Sequence, residues 1–168
     1  IFNNASKVSD LIQQRYSEKS IIFEYALDES MELRIQEIRD FLNRHDGERI
    51  LLFGFTFMIW QHFYKELKNV EYRPDLSNAI LIHGGGWKKI QSESVDTKQF
   101  KKSLNEVCGI KPENIHDYYG MVEQTGSIYM ECENGYLHTS IYSDIIIRRL
   151  IDFSIAGKIK RLAAVLNY

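Results

Sequence analysis

The sequence predicts an α/β fold: a mostly parallel, helix-covered sheet followed by an antiparallel β-rich segment. Two short continuous apolar runs, Ile50-Leu51-Leu52-Phe53-Gly54 and Ala79-Ile80-Leu81-Ile82, read as strands buried on both faces. Segments of helical spacing lie before, between and after them. After about Gln124 the helical spacing stops, and strand-like stretches with a hairpin signal take over. The division this implies is 1–125 for the α/β part and 126–168 for the β-rich part.

Each element has a local reason. Asn3 to Tyr16 reads as a short helix and Ile21-Ile22-Phe23 as a strand. Met31, Ile35, Ile38 and Leu42 line one helix face, with Asp28 or Ser30 available as a cap and Gly47 just past the end. Phe57 to Leu67 returns to helical spacing after the first strand. Asp96-x-x-Gln99 resembles a capping box ahead of the stripe Phe100, Leu104 and Val107, and Gly109 supplies a C-terminal stop. Asn114 to Tyr118 is a third strand. Beyond it, Ile128 to Glu131, Tyr136 to His138, Asp144 to Arg149 and Lys158 to Leu166 read as strands, with Asn134-Gly135 as a hairpin turn.

Composition narrows the class. Of 168 residues, 44% are hydrophobic and 26% charged, a globular mixture that argues against disorder and fibre. The net charge of −2 offers no field for nucleic acid or an anionic membrane, so no nucleic-acid partner is expected. No run approaches the ~18 apolar residues of a membrane span. Cys108 and Cys132 are too few for a disulfide scaffold, which makes a reduced cytoplasmic setting the default. The chain begins at Ile1 and ends in Val165-Leu166-Asn167-Tyr168, so both ends read as cut from a longer protein.

In open α/β sheets ligands sit beyond the carboxyl ends of strands. Three such ends carry chemistry here. His83-Gly84-Gly85-Gly86-Trp87-Lys88-Lys89 lets the backbone approach a flat or phosphorylated ligand; it also reads as a plain tight turn. Asp117-Tyr118-Tyr119-Gly120-Met121-Val122-Glu123-Gln124 places a tyrosine and a glycine at a strand end, with Glu123 able to ligate Mg²⁺. Phe53 to Trp60 either lines an acyl pocket or is core with only Phe55 or Thr56 facing a ligand. Cys108 lies on a helix stripe and reads as buried core, and Cys132 precedes a turn. His83, His116 and His138 are too irregularly spaced for a metal site; His138 reads as closing over a ligand or, more simply, as a structural hydrogen-bonder.

Tyr119-Gly120-Met121-Val122-Glu123 resembles the Tyr-Gly-x-Thr-Glu motif of adenylate-forming ligases, with the glycine run Gly84-Gly85-Gly86 upstream. The finer pattern, which adds His83, Trp87, Lys88, the stretch Glu133 to His138 and Asp144 to Arg148, is similar to bacterial bioluminescence acyl-protein synthetases and phenylacetate–CoA ligases. It runs from about Arg49 to the end. The resemblance implies a subdomain of the adenylate-forming ligase fold. It implies that a carboxylic acid, fatty in kind, attacks ATP to give acyl-AMP and pyrophosphate. A thiol then takes the acyl group; the acceptor is a protein cysteine, as on a fatty acyl reductase, or CoA. By position, Gly84, Gly85 and Gly86 form one wall of an adenine pocket and Tyr119 stacks opposite. Tyr118 and Gly120 flank it, Asp117 meets the adenine amino group, and Trp87 borders the acyl group. Glu123 holds Mg²⁺.

The sequence departs from that pattern in ways that matter. Val122 stands where the family has Thr, and losing a hydrogen bond to a charged group costs on the order of 1.5–3 kcal/mol. The family's phosphate loop, ribose-binding Asp and C-terminal catalytic Lys are not among these residues, and Gly157-Lys158-Ile159-Lys160-Arg161 lacks an expected glutamate and glycine. The expectation is therefore that the chain alone does not catalyse and binds nucleotide weakly. Two alternatives stand beside it: a non-catalytic nucleotide- or protein-binding module that keeps the fold, and a plain flavodoxin-like domain with an added hairpin region.

Overall fold

The computed structural model describes residues 24–120 and 128–155, apart from 145, 147 and 150. The first helix among the described residues, α1 (Ile35–Arg44), starts later than its apolar stripe suggests. Met31 is not in it. Asp28 Oδ1 accepts from the backbone N–H of Ser30 at 2.8 Å and of Glu32 at 2.9 Å, so its carboxylate closes a turn instead of capping a helix. A Leu27–Leu33 bridge flanks that turn, and Met31 takes a left-handed φ of 66°. Local side-chain bonding has won over helical propensity at this point. Ile38 and Leu42 still pack against the core, as the stripe requires.

Strand β1 (Leu51–Phe55) leads directly into a helix, α2, of unusual make-up. It has an α-helical turn at Thr56–Met58, a π-helical stretch at Ile59–Tyr64 and an α-helical end at Lys65–Asn69. Strand β2 (Ile80–Gly84) follows, then a kinked 3₁₀ segment at Lys88–Glu93. Helix α3 (Thr97–Cys108) begins at Asp96, whose carboxylate accepts from Gln99 N at 2.7 Å. The box is only half closed, because the Gln99 amide turns away to Ser103 Oγ at 3.0 Å. Gly109 ends α3 in the left-handed region at φ 74°, where a Cβ is disfavoured.

Strands β3 (Ile115–Gly120), β4 (Ile128–Glu131) and β5 (Leu137–His138) complete a five-stranded sheet of order β1-β2-β3-β4-β5. β1, β2 and β3 run parallel; β4 and β5 join antiparallel. The expected change from parallel to antiparallel pairing is thus present, within one continuous sheet. Around the β4–β5 turn, Gly135 N donates to Cys132 O and Cys132 N to Tyr136 O, both at 2.9 Å. Of Asn134 and Gly135 only the glycine has positive φ, so the loop is a three-residue type with one left-handed position, not a two-residue turn.

The core lies between the sheet and its helices: Leu81 and Ile115 from the strands, Ile59, Trp60, Phe63, Tyr64 and Leu67 from α2, and Phe100, Leu104, Val107 and Cys108 from α3. Register puts Leu51 and Phe53 on the opposite face, and they are 64% and 67% exposed. The expectation that β1 is buried on both faces is therefore corrected: among the described residues it is an edge strand with one face uncovered. Asp144–Arg149 is also not a strand in its described residues; an Arg148–Ile155 bridge closes a turn there, with Ser154 N and Oγ both bonded to Asp152. The proposed strands at 21–23 and 158–166 and the helix at 3–16 lie outside the described residues.

Candidate functional site at the ends of the parallel strands

Pairing brings Phe55, Gly84 and Tyr118 into one row at the carboxyl ends of β1, β2 and β3. Gly84 is there for steric reasons: a Cβ would lie 2.5 Å from Tyr118 O and 2.7 Å from its ring. Gly85 has φ 81°, and its Cβ would lie 2.9 Å from the Phe55 ring. Gly86 has φ 62° with open space around it. Lys88 follows at φ 44°, its ammonium 4.9 Å from the Phe55 ring and 5.4 Å from the Phe57 ring. The glycine run is thus a close-packed turn whose last member faces open space.

The two tyrosines diverge, as alternation along a strand demands. Tyr118 stacks on Phe53 at 5.6 Å, on the uncovered face. Tyr119 tilts against Tyr129 at 5.9 Å, on the helix-covered side. It is Tyr118, not Tyr119, that meets Gly84. Gly120 ends β3 and is exposed. Val122 and Glu123, the expected catalytic and Mg²⁺-binding positions, lie outside the described residues.

Thr56 is buried. Its hydroxyl lies 2.9 Å from His83 Nδ1 and 3.1 Å from Gly84 O, tying the end of β1 to that of β2. Trp87 packs edge-on against Trp60 at 5.5 Å and Phe100 at 6.0 Å, and so belongs to an aromatic cluster behind the turn. Cavities of about 390 Å³ and 360 Å³ lie elsewhere, the first beside Met31 and His62, the second beside His116 and Cys132. Neither is lined by Phe55, Thr56 or Trp87.

Asp117 pairs in register with His83. Its carboxyl is pushed up to about 6, by burial first and then by the neighbouring Glu131 carboxylate. Glu131 Oε2 accepts from Asp117 N at 2.9 Å and from Lys101 Nζ at 3.0 Å. His83, only 4% exposed, is pushed down to about 4, chiefly by burial. Its Nδ1 is 3.8 Å from Asp117 Oδ1. Both shifts disfavour the charged forms, the histidine's downward and the carboxyl's upward, so this contact is a weak ion pair at most. Sequence reasoning set His83 aside because it sought metal spacing. The signal was its inward position on β2, two residues after Leu81, level with the hydroxyl-bearing Thr56 just past the end of β1. Among the described residues no group of His, Cys, Asp and Glu is arranged to hold a metal ion.

Cys108 is core, as its stripe suggests; burial pushes its thiol up to about 12 and Sγ donates to Leu104 O at 3.1 Å. No described helix is long and apolar enough to cross a membrane.

A mixed sheet whose three parallel strands end beside a close-packed glycine turn defines an α/β protein of the kind that holds its ligand beyond the strands. Residues 5–159 match the family model for acyl-protein synthetase, LuxE. The chain belongs to the LuxE acyl-protein synthetase family, a membership that implies acyl-protein synthetase activity with an acid as substrate and a protein as acceptor. No curated protein and no solved structure matches the chain.

Proposed function

We propose that the chain is the nucleotide-recognition part of an ATP-dependent acyl-activating ligase. The reaction forms acyl-AMP from a carboxylic, fatty acid and passes the acyl group to a thiol on a protein or CoA. The observation that carries this is the Gly84–Gly86 turn, which is closed by Tyr118 and Phe55 on one side and open at Gly86 on the other. The open side suits the flat face of adenine. Asp117, at the adjoining strand, suits an exocyclic amino group, since a carboxylate accepts from an N–H donor. Tyr119 is the proposed stacking partner, Glu123 the proposed Mg²⁺ ligand, and a cytoplasmic setting goes with the reaction.

The chemistry asked of these residues is positioning and charge neutralisation at the α-phosphate. Val122 supplies no hydroxyl to that phosphate, which favours a second reading: a binding module that keeps the site without turnover. Calorimetric titration with a non-hydrolysable acyl-adenylate mimic and Mg²⁺ tests the first reading. Binding that Tyr119→Ala abolishes is the expected result. A folded chain that takes up no mimic overturns it. The chain alone is not expected to turn over, so ATP–pyrophosphate exchange measured with the family's phosphate loop and catalytic Lys also supplied separates ligase from module.

A further inference from the structure

The Thr56 hydroxyl has one proton and two polar neighbours, His83 Nδ1 at 2.9 Å and Gly84 O at 3.1 Å. Gly84 O can only accept. If the Thr56 proton goes to Gly84 O, the His83 contact must run the other way, from Nδ1–H to Thr56 Oγ1. The opposite tautomer would draw the hydroxyl proton to Nδ1 and cost Gly84 O its link to Thr56. His83 Nε2 is then the unprotonated nitrogen, and it is buried without a hydrogen-bond partner. The ring lies 4.7 Å from that of Phe100, centroid to centroid, within the aromatic cluster.

We propose that His83 is a positioning residue for the Gly84–Gly86 turn, its Nδ1–H donating to Thr56 Oγ1, which in turn donates to Gly84 O and fixes the turn that faces the nucleotide. This rests on the nucleotide-binding reading above. Because Nε2 is sealed from solvent, His83 does not touch the ligand; it acts through Thr56 and the Gly84 carbonyl. Burial keeps the ring uncharged through the physiological range, so the relay does not change with pH there. Thr56, expected from sequence as a pocket residue, is thereby given a task in holding the turn. The arrangement also gives a reason to keep a buried nitrogen without a hydrogen-bond partner, a destabilising feature in itself: imidazole places a donor at Nδ1 while its ring fills the space beside Phe100.

The test uses the ¹⁵N-labelled chain. Ring-nitrogen shifts of His83 are expected to show Nδ1 protonated and Nε2 bare. Thr56→Val removes both hydrogen bonds at nearly constant shape. It should shift the Gly84, Gly85 and Gly86 amide signals and weaken binding of the acyl-adenylate mimic about tenfold. Thr56→Ser should restore both. His83→Asn, whose amide can donate from the Nδ1 position, should keep the glycine signals in place and serves if the valine variant does not fold. A ring protonated at Nε2, or glycine signals unmoved in Thr56→Val, overturns the proposal. If the shifts behave as expected but the wild-type chain binds no mimic, the functional reading falls and the anchored turn remains.

Discussion

Two glycine turns of this sheet look alike in sequence and differ in what they require. At Gly135, in the β4–β5 loop, the demand is local: φ is 76°, and the nearest atom to an added Cβ is Glu131 Oε1 at 3.9 Å. At Gly84 the backbone is ordinary and the demand comes from another strand, since Tyr118 O lies 2.5 Å from where the Cβ would stand. One glycine answers to its own torsion angle, the other to a neighbour 34 positions along the chain. The first can be relieved by a small backbone adjustment. The second cannot, because the obstacle is a carbonyl of the sheet itself.

Substitution should break the two turns unequally. Gly84→Ala is expected to cost roughly 3 kcal/mol, since overpacking against a fixed backbone leaves no room to relax; chemical denaturation would read this, and a loss below about 1 kcal/mol would put Tyr118 elsewhere. A comparable effect should come from acid on the same turn. His83 has its pKa lowered from 6.5 to about 4, so its contribution is full above pH 6.5 and is lost as pH falls through about 4, on the order of 3 kcal/mol in all. Asp117 works in the opposite sense: raised to about 6, it favours the folded state below its unfolded value and loses that contribution as pH rises through 6. Its side chain is 47% exposed, so solvent screens the effect. Stability measured from pH 7 to 4 in wild type and His83→Asn isolates the histidine, and parallel curves for the two would remove it from the account.

Gly135→Ala should cost about 1 kcal/mol, the usual strain of a left-handed alanine. A loss as large as that of Gly84→Ala would abolish the contrast. The smallest expected effect has the opposite sign. Met31 occupies a left-handed position, φ 66°, in the turn closed by Asp28. Met31→Gly should stabilise by up to about 1 kcal/mol if released strain outweighs the lost side-chain contacts. A thermal melt shifted downward would show that those contacts dominate.

The same distinction separates what could be read in the sequence from what could not. Asp96, Gln99, Gly109 and Gly135 announce their elements because their reasons lie within a few residues. The order of strands and helices, and the change to antiparallel pairing, follow from local periodicity and were legible. The Met31 stripe misled because Asp28 had a closer use for its carboxylate than capping a helix. Leu51 and Phe53 read as doubly buried because a continuous apolar run does not say whether both faces of its sheet are covered. At the site, the glycine run was visible, but that Gly84 answers to Tyr118 and Thr56 to His83, 27 positions away, belongs to register alone.

The π-helical stretch of α2 has a consequence for insertions and deletions. Removing one residue from Ile59–Tyr64 would let the stretch close into ordinary α-helix and turn everything after it by about 100°. Leu67, now wholly buried, would swing away from the core, while Thr56 at the head of the helix kept its place. The extra residue therefore acts as a phase shifter. It lets one helix begin in step with the strand ends, where the hydroxyl is needed, and finish in step with the core.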